Sequence, residues 1–144
     1  MVKFERIYNY NGNEYRILID RMWPRGVSKD KIDFWFKEIA PSKELIKKYH
    51  QTGDYNEFRS EYINELDANT QKVNELVNMI NSKTCVLLYS SKNEKNNSTV
   101  LKEYLKQKFT FCWALRRYDK VNWKSKVYLE KVNSIYRLNA IYKQ

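Results

Sequence analysis

Histidine occurs once in this sequence, cysteine and proline twice each, and glycine three times. Each scarcity removes a class of function. Cys85 and Cys112 sit inside apolar runs and form neither a CxxC pair nor a Cys/His cluster, which excludes a zinc site and a dithiol redox centre and predicts two inert core thiols. The sole histidine, His50, lies at a predicted helix end, where a positive charge complements the last carbonyls, so it offers no base for a nucleophile. Carboxylates such as Asp20, Glu61 and Glu65 lack ligand spacing, so neither a metal nor any other cofactor is expected. No stretch approaches the ~20 apolar residues needed to cross a bilayer. The opening MVKFERIYNY carries charges among its apolar residues, unlike a secretory leader. The expectation is a protein of a reducing compartment, the cytoplasm, with no membrane partner.

What is abundant is positive charge. Lys and Arg number 27 against 17 Asp and Glu, a formal charge of +10 in 144 residues. A basic balance favours polyanionic partners, although lysine interleaved with asparagine, isoleucine and tyrosine is also what an AT-rich genome writes onto a neutral surface. A chain of this length suits one core that needs no disulfide.

Two strands open the chain, over residues 3–9 and 15–20, with Asn11-Gly12 between them as a hairpin signal. The second breaks at Trp23-Pro24-Arg25-Gly26, where Pro removes a donor and Gly permits positive φ. Ile32, Trp35, Phe36 and Ile39 fall at helical spacing after Ser28 or Asp30 and before Pro41, predicting a short helix. Ser42 caps the next, which Gly53 ends. From Asp54 to Asn81 apolar residues recur at three and four, as one long helix or two broken near Asn69-Thr70. The run Thr84-Cys85-Val86-Leu87-Leu88-Tyr89 lacks polar alternation and predicts a central strand buried on both faces. Val100, Leu101, Tyr104 and Leu105 mark a further helix. The fold class expected is α/β: a small, central, partly parallel sheet flanked by helices, with a C-terminal strand and helix as an extension. Its core is expected to comprise Trp35, Phe36, Phe58, Tyr62, Leu66, Val86, Leu87, Leu88, Leu101 and Leu105.

Residues 110–144 differ from the rest. They hold eight basic and two acidic side chains, six of the ten net positive charges, interleaved with seven aromatics. The segment contains neither Gly nor Pro and is too apolar for disorder, so a strand near 110–115 and a helix within 123–142 are expected. The boundary is drawn at 109, with 110–144 an extension packed on the domain or on a second copy of it.

Three constellations carry chemistry. Asp20, Arg21, Trp23, Arg25 and Lys29 share one strand end and turn. Guanidiniums beside an indole suit a planar or phosphorylated anion, while the structural alternative is an Asp20–arginine ion pair locking the loop. Asp20, Pro24 and Gly26 are read as its support. The loop Ser90 to Asn97 joins the buried strand to a helix without any glycine, so it is no Walker loop, yet Ser91, Lys92 and Asn96 supply donors near a helix N-terminus; a plain helix cap is the alternative there. If strands 15–20 and 84–89 are parallel neighbours, both loops emerge on one edge and build one pocket. Alternation along the strand forbids Asp20 and Arg21 from facing one pocket, which assigns Arg25 to the ligand and Arg21 to anchoring the loop. In the tail, Arg116, Arg117, Trp123, Lys124 and Lys126 have the composition that grips phosphates and stacks bases of a single strand, and equally that of a packed helix.

The string Arg16-Ile17-Leu18-Ile19-Asp20-Arg21-Met22-Trp23-Pro24-Arg25-Gly26-Val27-Ser28-Lys29 resembles the signature of the YeaO-like family, domain of unknown function 488. Further blocks agree in order: Phe34-Trp35 through Ala40-Pro41-Ser42, Phe58-Arg59 with Tyr62 and Glu65-Leu66, Thr84 through Leu88-Tyr89, and Asn96 leading into Val100 to Leu105. The resemblance spans about residues 3–109 and implies a compact α/β domain with no established activity. Where related chains often carry a histidine this one has Asn97, so no histidine-dependent catalysis is carried over. The functional readings are therefore a pocket for a small anionic or nucleotide-like ligand at the WPRG loop, a nucleic-acid-binding module using the tail, or a protein-interaction or inhibitor module. Whether any reaction is catalysed stays open.

Overall fold

The computed structural model describes residues 2–108. The strand and helix expected within 110–144, and with them Cys112, Arg116, Arg117, Trp123, Lys124 and Lys126, lie outside the described residues. Four strands form one sheet: β1 (Lys3–Arg6), β2 (Tyr15–Leu18), β3 (Phe34–Trp35) and β4 (Cys85–Tyr89), in the order β1-β4-β2-β3. Every pairing is parallel, so the sheet of the described residues is wholly rather than partly parallel, and the fold is α/β. Helices α1 (Lys43–Thr52), α2 (Tyr55–Ala68) and α3 (Thr70–Ser82) connect β3 to β4, and α4 occupies residues 97–108.

The expected hairpin does not form. β1 and β2 never pair with each other, because β4 lies between them, with Phe4 and Ile17 both in register with Leu87. A tight turn at Asn11-Gly12 would need positive φ, and neither residue has it. The physical reason is the composition of β4. Cys85, Val86, Leu87 and Leu88 are all buried, and a strand apolar on both faces gains most at the centre, where both neighbours and both faces exclude water.

The helix expected over 32–39 is absent as well. The segment makes a 3-10 turn (Lys29–Lys31), the short β3 and a second 3-10 turn (Lys37–Ile39). The amides of Asp33 and Phe36 donate to the carbonyls of Arg16 and Leu18 at 2.9 and 2.8 Å, satisfying the free edge of β2. The Asp33 carboxylate takes the Arg16 amide and, in a fork, its guanidinium at 2.8 to 2.9 Å. That pairing holds the Asp33 carboxyl below its ordinary range. Ile32, Phe36 and Ile39 are buried nonetheless, so the apolar spacing served burial without the helix.

The remaining helices follow their local signals. Ser42 Oγ accepts the Leu45 amide at the start of α1, and Gly53, at φ 66°, ends it with its N–H on the Tyr49 carbonyl. The Asp54 side chain caps α2, and Asn69 separates α2 from α3. Leu18, Val86 and Leu88 share one sheet face with Ile7 and Ile32, closed over by Tyr10, Trp23, Val27 and Trp35. Ile17, Ile19 and Leu87 point the other way by alternation and are equally inaccessible. Phe58, Tyr62 and Leu66 of α2 and Val73 and Leu76 of α3 are buried along their helical stripes. Of the ten expected core residues only Trp35 is half-buried.

Candidate functional site

A parallel sheet sends every strand's C-terminal end to one edge, so the segments after β1, β2 and β4 meet there. At their centre is Asp20, buried to 9% exposure. Its Oδ2 accepts the Ser90 amide at 2.8 Å and the Ser90 hydroxyl at 2.6 Å. Its Oδ1 accepts the Asn97 side-chain amide at 3.2 Å, and the same Nδ2 reaches the Ile19 carbonyl at 3.2 Å. Trp35 Nε1 donates to the Asp20 carbonyl at 2.8 Å, and Arg6 Nε to the Ser90 carbonyl at 3.0 Å. Residues of, or within two positions of, all four strands, together with the first turn of α4, are thus joined around Asp20 and Ser90. An acceptor at this depth is retained only because donors replace water around it.

Arg21 points away from this network. Its Nε and Nη2 donate to the Pro41 and Ala40 carbonyls, both at 3.0 Å, clamping the loop after β2 to the turn before α1. Beside it the Tyr62 hydroxyl donates to the Ile39 carbonyl at 2.7 Å. Burial, reinforced by the charges of Glu65 and Asp20, drives the Tyr62 phenol far above its ordinary pKa. The Ser42 amide and hydroxyl both reach the Glu65 carboxylate, at 2.9 and 2.6 Å. Polar groups in this quarter are therefore satisfied by protein.

Trp23 closes the apolar face instead of standing free. Its ring meets Trp35 edge-on at 5.5 Å and its Nε1 donates to the Val27 carbonyl at 2.8 Å. Pro24 is buried and Gly26 turns the chain at φ 71°, a conformation that costs a residue with a Cβ. Asn96 is buried as the cap of α4, its Oδ1 accepting the Ser98 amide at 2.7 Å and hydroxyl at 2.5 Å, while its amide donates to the Asn93 carbonyl. Ser91 bonds Asn93 within its own turn. The loop residues expected to contact ligand thus divide. Arg21, Trp23, Ser91 and Asn96 have protein partners, whereas Arg25 and Lys92 are exposed and their side chains have no hydrogen bond or ion pair among the described residues.

Ser90, Arg6 and Tyr8 were not singled out by sequence reasoning. Ser90 could have been found as the first residue after the central strand. Arg6 and Tyr8 had no signal, because only the sheet order carries the end of β1 to this edge. Asn97 was noted as a departure from related chains, and the structure gives it a place on Asp20. His50 is exposed on α1. Burial raises the Cys85 thiol above its ordinary pKa, which disfavours the reactive thiolate. Among the described residues no three His, Cys, Asp or Glu side chains gather as a metal site, and no helix is long and apolar enough to cross a membrane.

Comparison with known proteins agrees with the resemblance read from the WPRG block. The uncharacterised protein YeaO of Escherichia coli (strain K12) is 39% identical over 111 residues, covering 73% of this chain and 96% of YeaO. The uncharacterised proteins Rv3073c of Mycobacterium tuberculosis (strain H37Rv) and Mb3100c of Mycobacterium bovis are each 48% identical over 54 residues, 35% of this chain and 46% of theirs. No solved structure matches the chain. The family model described as the inactive DUF488-N3 subclade matches residues 1–114. With that span and the YeaO identity, the chain belongs to the YeaO-like DUF488 family.

Proposed function

We propose that this protein binds a small anion at the C-terminal edge of its sheet without transforming it. The observation that carries the reading is the division of polar groups at that edge. The buried Asp20 carboxylate is engaged by Ser90 and Asn97, bonds that hold the loops after β2 and β4 together. The guanidinium of Arg25 and the ammonium of Lys92, by contrast, have no protein partner among the described residues, as a site awaiting a negative ligand requires. The inactive label of the matched subclade points the same way.

Calorimetric titration of the full chain with inorganic pyrophosphate at low salt tests this. Binding should weaken by roughly ten- to a hundredfold in Arg25→Ala, the loss of a charged hydrogen bond of about 1.5 to 3 kcal/mol. Phosphorus NMR should show the ligand unchanged after prolonged incubation. Undetectable binding, or affinity indifferent to Arg25, would remove the proposal, and turnover would make the protein an enzyme.

A further inference from the structure

The short turn after β1 brings an aromatic ring against the same edge. Tyr8 is one of two large apolar side chains exposed among the described residues, at 47%, and the other, Met22 at 65%, lies in the WPRG loop. Tyr8 is not left to solvent at random. Its hydroxyl donates to the Arg25 carbonyl at 2.9 Å, tying it to that loop, and the Arg6 guanidinium lies over its ring 4.7 Å from the centroid. Arg6 is fixed in turn by its Nε on the Ser90 carbonyl, so the cation over the ring is itself anchored to backbone. With Arg6 over one face, the opposite face is the one left for a stacking partner.

We infer that Arg6, Tyr8 and Arg25 form a platform for a planar heteroaromatic ring bearing phosphate, that is, a mononucleotide. The base stacks on the open face of Tyr8, polarised by the cation above it, and the phosphate meets Arg25. Three features favour this over a bare anion. Tyr8 is 47% exposed beside the WPRG loop to which its hydroxyl is bonded. It is immobilised at its hydroxyl, which lowers the ordering cost of stacking. The Tyr8 ring beneath the Arg6 guanidinium, bonded to the backbone of Arg25 whose own side chain is unpaired among the described residues, supplies the two contacts a nucleotide needs, charge and π-face. The inference rests on the anion-binding reading and adds the ring to it.

The test compares adenosine 5′-monophosphate with ribose 5-phosphate by calorimetry on the full chain, because the pair differ only in the base. The nucleotide should bind about tenfold or more tightly than the sugar phosphate. Tyr8→Ala should bring the two to the same affinity while leaving ribose 5-phosphate unchanged. Tyr8→Phe, which keeps the ring, should retain the nucleotide preference within about threefold and shows that the loss in Tyr8→Ala is not a folding defect. Equal affinities in the unsubstituted protein would overturn the nucleotide inference while an Arg25-dependent sugar-phosphate signal left the anion reading standing. No binding of either would overturn both. A Tyr8-dependent preference for a deoxythymidine decamer over the mononucleotide would replace the free nucleotide by a single-stranded nucleic acid.

Discussion

Replacing Asp20 with alanine should lower stability by about 2 to 4 kcal/mol, far more than its position at a strand end would suggest. The carboxylate accepts bonds from Ser90 N, Ser90 Oγ and Asn97 Nδ2, and a hydrogen bond to a charged group contributes ~1.5 to 3 kcal/mol. Three such bonds would sum to more than is expected, for two reasons. Removing the side chain also removes the desolvation cost of a charge held at 9% exposure, and Ser90 and Asn97 are only half-buried, so water can replace part of what they lose. For a chain of this size that loss corresponds to a fall in Tm of roughly 8 to 15 °C. Urea denaturation followed by far-ultraviolet circular dichroism measures it, with an unchanged m value showing that the native state is otherwise intact. A cycle with Ser90→Ala sharpens the test. Ser90→Ala alone removes the hydroxyl bond but keeps the amide bond, so it should cost about 1 kcal/mol. Combined with Asp20→Ala it should add almost nothing, a coupling of about 1 kcal/mol. An Asp20→Ala protein within about 0.5 kcal/mol of the parent would refute the reasoning, because the two loops would then be held together by something other than this carboxylate.

Arg21→Ala strips two carbonyls of a charged donor and should cost about 1 to 3 kcal/mol in a thermal melt, whereas Arg25→Ala should leave Tm within about 1 °C; the reverse ranking would invert their roles. Leu87→Ala, at a fully buried position in the central strand, should cost ~2 to 5 kcal/mol by urea titration. Gly53→Ala, at φ 66° with open space around its Cα, should cost about 1 kcal/mol from backbone strain alone. The phenols of Tyr62 and Tyr104, raised in the fold first by burial, contribute stability that is complete below their unfolded pKa near 10 and is lost as pH rises beyond it. Stability should therefore fall above about pH 10, and less steeply in Tyr62→Phe. At the acid end Asp33, held low by Arg16, contributes stability present above its unfolded pKa near 4 and lost as pH falls below it, a loss that Asp33→Asn should abolish.

Much of this fold is written locally. The apolar run Cys85–Tyr89 marks a strand that must be central, and the cap at Ser42, the glycine at 53 and the break at Asn69 delimit α1 to α3. These features depend on side-chain periodicity and backbone preference within a few residues, which the order of amino acids specifies directly. The same rules mislead where a distant partner outweighs the local signal. Asn11-Gly12 closes no hairpin because β4 takes the place between β1 and β2, and Ile32 to Ile39 keep their burial while the backbone pairs with β2. That the loops after β2 and β4 leave one edge follows from the parallel pairing expected of strands 15–20 and 84–89, but the contacts of the candidate site belong to this second kind. Ser90 reaches Asp20 across 70 positions, and Arg6 reaches Ser90 across 84. No period or motif encodes such separations. They follow from strand order, which is decided by how the sheet as a whole hides its apolar faces and satisfies its edges.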